Sequence, residues 1–263
     1  MEKKKYDYYV IHLCKDTDRI NNVNNLSKKI GKTINIFNGI DASTFNNTNY
    51  SSIINNYSNN LKINMNPNYP GIIGCYLSHY LLYKQLESSN LDYAIILEDD
   101  SNILIDNINE KIDLYLNMNK TFDFLFLGYN PNPGNQYDNE LYHINNNVKV
   151  WGFHGYIINI KSIPKILENN NIINFEIDIQ IFNKIKKNIF TGYFIYPKLI
   201  NQHKFKSLIR TNNIQNKPNN IQNKPNNIQN KPNKTNKICI SSNQTNLIQK
   251  NIIKLLYINK KKI

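Results

Sequence analysis

The 263-residue chain is long enough for one α/β domain with a full core or for two small ones, and its 40% hydrophobic content suffices for globular packing. Its net charge of +13 points to nucleic acid only until the charge is located: from position 204 onward there are 13 Lys or Arg and no Asp or Glu, which leaves 19 basic against 19 acidic residues in positions 1–203. The body is therefore neutral and the tail carries the whole excess; such a tail can contact nucleic acid, a membrane surface or an acidic partner, but it reads first as a solubilising spacer, so no specific nucleic-acid binding is expected.

Asparagine supplies about a fifth of the residues, Ile, Lys and Tyr are also common, and only two alanines occur. All four favoured types have AT-rich codons, so the bias reads as genomic, and chance Asn-x-Ser/Thr matches such as Asn56-Tyr57-Ser58 carry no weight. Cys14, Cys75 and Cys239 are far apart and form no Cys-x-x-Cys pair, so their spacing indicates neither a disulfide framework nor a zinc site, and a reducing compartment is the simplest inference. The basic start at Lys3-Lys4-Lys5 is followed by an apolar run of only about six residues, too short for a signal peptide, and nothing approaches the roughly 18 apolar residues of a membrane span. A cytoplasmic location is the expectation.

In chain order, Tyr8 to Leu13 predicts a first buried strand. Asp16 or Thr17 then offers a helix cap, and Ile20, Val23, Leu26 and Ile30 repeat at helical spacing with Arg19 in the first turn. Ile34–Phe37 predicts a second strand that ends in the turn Asn38-Gly39-Ile40-Asp41, which places Asp41 near the same sheet edge. Strand, helix and strand with short links open a Rossmann-like layered domain. Residues 43–70 read as a long loop, either a lid or a relaxed insertion.

Pro70-Gly71 breaks the chain before a helix over 73–86 whose apolar face holds Tyr76, Leu77, Tyr80, Leu81 and Tyr83. Gly71 and Gly74 bare the amino end of that helix, where amides and the dipole favour an anion such as a nucleotide diphosphate; the plainer reading is that they let the helix pack tightly on the sheet. A lone His79 on this face reads first as a satisfied core residue.

Leu91 to Asp100 is the stretch on which the chain turns. Tyr93 to Leu97 predicts a buried strand of a parallel sheet, and Glu98, Asp99 and Asp100 arrive together at its carboxyl end, the edge where open α/β sheets bind ligands. Three adjacent acids repel one another, and a divalent cation with hard oxygen ligands relieves them; the competing reading is a solvated acidic turn. Glu98 and Asp100, two residues apart, are expected on one side and Asp99 on the other.

Further on, Asp106–Asn117 predicts a polar helix, Phe122–Gly128 a buried strand, 130–147 a loop or hairpin, and Val148–Ile158 strand, tight bend and strand, with Trp151 and two glycines forming an apolar floor for a ring-shaped ligand. Lys161–Leu167 reads as a short helix with Pro164 in its first turn. Phe175–Phe182 alternates in polarity, yet Ile181, Ile185 and Ile189 favour a helix start, which sets Asp178 near a helix amino end. Phe190–Tyr196 predicts the last strand, and His203 is the final candidate metal ligand.

Beyond Arg210 the sequence Asn-Asn-Ile-Gln-Asn-Lys-Pro occurs three times in tandem at 212–218, 219–225 and 226–232, with one apolar residue and one proline per unit. No coiled coil can run through it. The organisation therefore reads as a domain over 1–210, a low-complexity linker over 211–237 and a basic apolar segment over 238–263.

Taken together the motifs resemble glycosyltransferase family 25, which contains lipooligosaccharide and collagen galactosyltransferases. The likeness covers about residues 7–210 and rests on Val10-Ile11-His12-Leu13 through Asp18-Arg19, Asn38-Gly39-Ile40-Asp41, Pro70-Gly71-Ile72-Ile73-Gly74-Cys75-Tyr76-Leu77-Ser78-His79, Leu97-Glu98-Asp99-Asp100, Leu127-Gly128-Tyr129, His154-Gly155-Tyr156 and Ile177-Asp178, all in the family's order. The chain departs from the pattern at Ile72, where the family commonly has Glu, at His12 for Asn and at Cys14 for Asp.

The resemblance implies a GT-A fold, a Rossmann-like α/β/α sandwich that inverts the transferred sugar. It implies Mn²⁺ or Mg²⁺ held by Asp100, with Asp99 and His203 as further candidates; a UDP-sugar donor bound on the side of Arg19, Asp41, Gly71, Gly74, Glu98 and Asp99; and Asp178 as general base. The implied acceptor is a glycan, a lipid-linked sugar or a protein hydroxylysine, and the implied sugar galactose or glucose. Two other classes compete: a catalytically inactive GT-A-fold binding protein that uses its basic tail, which the three departures favour and the intact acids disfavour, and a nucleotidyltransferase, which would not explain the spacing from Gly71 to Asp100.

Overall fold

In a computed structural model, the described residues are 3–45, 61–65, 69–118, 120–130 and 141–203. The chain divides into two units, Met1–Asn216 and Lys217–Ile263, and the tandem repeats and the basic apolar end lie outside the described residues. The strands are β1 Tyr6–His12, β2 Ile34–Asn38, β3 Lys62–Ile63, β4 Tyr93–Glu98, β5 Ser101–Ile103, β6 Phe124–Asn130, β7 Leu141–His143, β8 Trp151–Asn159, β9 Ile172–Ile173, β10 Gly192–Ile195 and β11 Ile200–Gln202. The helices are α1 Thr17–Ile30, α2 Pro70–Leu86, α3 Ile108–Leu116, α4 Ile163–Asn169 and α5 Ile177–Lys186. Short 3₁₀ turns occupy Ala42–Thr44 and Ile160–Ser162.

Seven strands form one sheet in the order β2-β1-β4-β8-β6-β10-β7. β2, β1 and β4 are mutually parallel, β6 and β10 run the same way, and β8 and β7 are reversed. The sheet is therefore mostly parallel rather than wholly so: β4, expected between parallel neighbours, pairs parallel with β1 and antiparallel with β8.

The period-2 alternation of the strands sorts their side chains between two cores. Ala94, Ile96, Phe124, Phe126, Tyr156 and Ile158 pack with α2, α4 and α5, while Ile95, Leu97, Leu125, Leu127 and Ile157 pack on the other face with α1 and α3. This gives an α/β/α sandwich, and it makes the near-continuous apolar runs in β4 and β6 necessary, because both faces of those strands are covered.

Several elements depart from expectation. The segment 148–158 is not strand, bend and strand: β8 runs unbroken through Trp151–Asn159, with Gly152 at φ 94° taking up the bend inside it. α2 begins at Pro70 rather than 73, proline being tolerated at the first helical position. Within the region expected to be a long loop, β3 pairs with β9, and residues 46–60 and 66–68 lie outside the described residues. The helix start preferred over a strand at 175–182 is observed as α5, with Asp178 in its first turn. A further antiparallel pair, β5 with β11, had no local signal, since its partners are about a hundred residues apart.

Candidate active site at the carboxyl end of the fourth strand

The parallel registers bring His12 of β1, Asn38 of β2 and Glu98 of β4 to one edge of the sheet. Because β8 is antiparallel to β4, with Leu97 opposite Gly155, its first half lies at this same edge. β11 crosses here as well. A Cβ on Gly128 would stand 2.8 Å from the Ile200 carbonyl oxygen, and one on Gly155 2.5 Å from Ile200 Cδ1, so both glycines clear the path by which β11 reaches β5. That pairing delivers Gln202 and His203 to the acids.

The three carboxylates are treated differently. Asp99 is saturated: His12 Nδ1 is 2.9 Å from Oδ2, and Arg19 Nη1 donates to Oδ1 at 2.6 Å. Asn22 Nδ2 donates to the carbonyls of Asp99 and Ser101, both at 2.9 Å, and so fixes the turn that carries the acids. Arg19, 9% exposed, also approaches Asp100 Oδ2 at 3.3 Å and Asp16 Oδ2 at 3.4 Å.

Asp100 receives Gln202 Nε2 on Oδ2 at 3.0 Å, and its carbonyl accepts from the His203 amide at 2.7 Å. Its other oxygen, Oδ1, is buried and has no hydrogen-bond partner among the described residues. Burial pushes the Asp100 carboxyl up to about 6, and the Glu98 charge adds to this against the pull of Gln202 and Arg19. Ser101 Oγ donates to the His154 carbonyl and ties the acid turn to β8.

Glu98 faces the opposite way. Its Oε1 is 3.7 Å from His79 Nε2 and its Oε2 3.8 Å from His154 Nδ1, too long for hydrogen bonds but close enough for charge. Burial opposes its ionisation, yet His154 and His79 outweigh this and hold the carboxyl down at about 2. The pairing of sides thus differs from the expectation: Asp99 and Asp100 share Arg19, while Glu98 turns to the histidines, because the residues after Glu98 leave the strand in a turn and no longer alternate.

Asp178 approaches from α5, where its Oδ2 accepts from the Gly152 amide at 2.9 Å. Burial raises its pKa, the amides of Ile179 and Gly152 oppose that, and the Glu98 charge raises it further. Trp151 beside it is 46% exposed.

The remaining candidates make contacts of their own. Asp41 caps the 3₁₀ turn by accepting from the Ser43 amide and pairs with Lys15, half of whose side chain is exposed. A Cβ on Gly74 would meet the Ile40 carbonyl at 2.4 Å, so this glycine seats α2 against the turn after β2. Gly71 lies in the first turn of α2 and His203 is exposed beside Gln202. His79 is 1% exposed and its Nδ1 meets the Tyr156 hydroxyl at 2.7 Å, a satisfied core histidine on that side.

Two contributors lacked a distinguishing signal in the sequence: Asn22 is one asparagine among many, and Gln202 depends on the β5–β11 pairing. His154 and His12 stand within motifs of the family pattern, from which His12 is a departure, but neither is singled out as a site residue by its spacing. Here His12 serves Asp99 directly, so the departure adds a partner to the acid turn.

A family profile described as glycosyltransferase family 25, LPS biosynthesis protein, matches residues 6–181, which spans the whole of this site up to α5. No curated protein matches the chain. Among solved structures, a protein from STIV aligns at TM-score 0.42 and 12% identity over 73% of this chain and 81% of that one. A Drosophila β1,4-galactosyltransferase 7 mutant in complex with manganese, UDP-Gal and xylobiose aligns at TM-score 0.41 and 10% identity over 82% and 77%, and S. aureus TarS 1-349 at 0.38 and 14% over 75% and 60%. The family match carries the assignment, since the structural likenesses all lie below a TM-score of 0.5.

Proposed function

The chain belongs to glycosyltransferase family 25, and from that premise we propose that it is a metal-dependent inverting hexosyltransferase, moving galactose or glucose from a UDP-sugar to a hydroxyl of a glycan, a lipid-linked sugar or a hydroxylysine-type acceptor. The observation that supports this best is the buried, unpartnered Oδ1 of Asp100 at the carboxyl edge of the sheet. A buried carboxylate that is only half satisfied, with its pKa raised, is a strong position for a divalent cation.

The donor set fits Mn²⁺ or Mg²⁺. Asp100 is the first ligand, and His203, bonded through its amide to the Asp100 carbonyl, is the second candidate. Asp99 serves better as an anchor than as a ligand, because both its oxygens are engaged by His12 and Arg19. When bound, the ion supplies Lewis-acid neutralisation of the diphosphate leaving group.

The chain's own residues do the rest. Arg19 and Asn22 hold the acid turn rigid, so that Asp100 is presented without reorganisation. Asp178 takes the proton of the acceptor hydroxyl; the acceptor oxygen bonds to the anomeric carbon as the bond to the UDP oxygen breaks, and that electron pair leaves with the diphosphate. Burial raises the Asp178 pKa toward that of a working base, and the Gly152 amide fixes which oxygen is free to act. The half-exposed Trp151, next in the chain to Gly152, gives the acceptor sugar a flat apolar face.

The test is a screen of the purified chain against UDP-, GDP- and CMP-sugars with Mn²⁺ and with EDTA. Metal-dependent binding and slow hydrolysis of one UDP-sugar is the expected result. Binding of none of them by a folded sample would overturn the reading in favour of a non-enzymatic binding protein.

A further inference from the structure

The end of β4 carries a second set of donor atoms on the flank away from Arg19. Cys75 and His79 are four residues apart on α2 and fall on one face of it. Cys75 Sγ, His79 Nε2 and a Glu98 carboxylate oxygen all lie within 4.8 Å of one another. From β8, His154 Nδ1 stands 3.8 Å from Glu98 Oε2; it is buried, has no hydrogen-bond partner among the described residues, and belongs to a residue only 4% exposed.

These separations are too long for hydrogen bonds and suit atoms arranged around a common ion. Ligands held at about 2.0–2.3 Å from a tetrahedral centre stand roughly 3.3–3.8 Å from one another; His79 Nε2 is 3.7 Å from Glu98 Oε1 and His154 Nδ1 is 3.8 Å from Glu98 Oε2, so the two histidines meet the carboxylate through different oxygens.

The far side of each ring is held. His79 Nδ1 meets the Tyr156 hydroxyl at 2.7 Å, which in turn meets the Tyr83 hydroxyl at 2.6 Å, and the proton order along this chain can run either way. With His79 Nδ1–H donating to Tyr156, Nε2 keeps its lone pair toward Glu98. His154 Nε2 lies 2.7 Å from the Asn130 carboxamide, and with the carboxamide oxygen accepting from Nε2–H, Nδ1 likewise keeps its lone pair. Outer contacts of this kind orient metal-binding imidazoles.

We propose that Cys75, His79, Glu98 and His154 form a binding site for a thiophilic divalent ion, zinc in preference to magnesium or manganese, separate from the hard-cation position at Asp100. One thiolate and two imidazoles select a borderline-soft ion, whereas Asp100 offers only oxygen. On binding, the Cys75 thiol gives its proton to solvent and the sulfur takes the ion. Burial and the neighbouring carboxylates disfavour that thiolate until a cation arrives to offset them. The ion ties α2 to β4 and β8 and pins Glu98, and the inference stands independently of the transfer reaction.

The experiment uses the full chain carrying Cys14→Ser and Cys239→Ser, which removes the other thiols. It is stripped with chelator and titrated with Co²⁺, a spectroscopic stand-in for zinc. A thiolate-to-cobalt charge-transfer band and the intense visible bands of a tetrahedral centre should saturate together at one equivalent, and zinc should bleach both. Adding Cys75→Ser should abolish the charge-transfer band, with zinc binding weakened by about 100-fold. Asp100→Ala should leave band and stoichiometry in place. If Cys75→Ser fails to fold by circular dichroism, His154→Gln provides the same test, with binding at least about 10-fold weaker and the visible bands shifted. The proposal is overturned if a folded chain shows no charge-transfer band, if the band survives Cys75→Ser, or if Asp100→Ala removes it.

Discussion

On the α1 flank of the β4 terminus, Asp99 meets both His12 and Arg19 while Asn22 ties the carbonyls of Asp99 and Ser101. On the α2 flank, Glu98 has approaches of only 3.7 and 3.8 Å and His154 Nδ1 has no hydrogen-bond partner among the described residues, and Asp100, although it shares Arg19, likewise keeps Oδ1 open. The same three consecutive acids thus end in one closed network and one open set of donors. Closed networks hold a backbone in place, and open donors wait for a ligand, so rigidity and chemistry are assigned to opposite sides of a single turn.

The largest effects should come from the open side and appear in activity rather than stability. Asp178→Asn is expected to lower turnover by about 10²–10⁴-fold while leaving donor binding unchanged; steady-state kinetics beside calorimetric titration of the donor would show it, and equal loss of both would remove Asp178 from the base role. Asp100→Asn should abolish metal-dependent donor binding with the folded state intact, because it relieves a buried charge.

Next come stability effects, in which the flanks should part. Arg19→Ala strands two buried carboxylates and should cost about 3–5 kcal/mol in urea unfolding. His79→Gln, on the open flank, should cost about 1–2 kcal/mol through its lost contact with Tyr156. Equal costs would mean that the α2 flank is as tightly networked as the α1 flank.

Gly74→Ala probes the seat of α2 itself. A Cβ at 2.4 Å from the Ile40 carbonyl oxygen forces the helix and the turn after β2 apart, at about 1–3 kcal/mol, read as a lowered unfolding midpoint.

A smaller and sign-specific effect is expected with pH. Asp100 has its pKa raised from 3.8 to about 6, so the folded chain binds that proton more tightly than the unfolded one, and this group's contribution to stability grows as pH falls from about 6 toward 3.8. Glu98, lowered from 4.5 to about 2, acts in reverse: its contribution is full above 4.5 and lost as pH falls through 2. Unfolding midpoints in EDTA should therefore show Asp100→Asn losing its stability advantage over the parent chain as pH drops from 6 to 4. A constant difference across that window would contradict the burial of the Asp100 charge.

Much of this was legible in the chain. The strands announced themselves because both faces of β4 and β6 are covered, which forces continuous apolar runs, and the acid triplet marked the ligand edge because three adjacent charges at a strand end demand a partner. The site was less legible. Asn22 was hidden in a composition rich in asparagine, and Gln202 reaches Asp100 across 102 positions of sequence. The glycines of the Leu127-Gly128 and His154-Gly155 motifs looked like signatures of a family, and only the crossing of Ile200 gives them a physical reason.

By itself, then, the sequence determined the layered α/β class, the neutral body with a basic tail, and the position of the acids, since periodicity, composition and adjacency are local properties. Tertiary structure alone decided which acid is saturated and which is open, that β8 runs against its neighbours, and that Cys75, His79 and Glu98 converge while His154 approaches the other oxygen of Glu98. Those outcomes depend on strand register and on contacts between residues 19 to 102 positions apart, which no local pattern encodes.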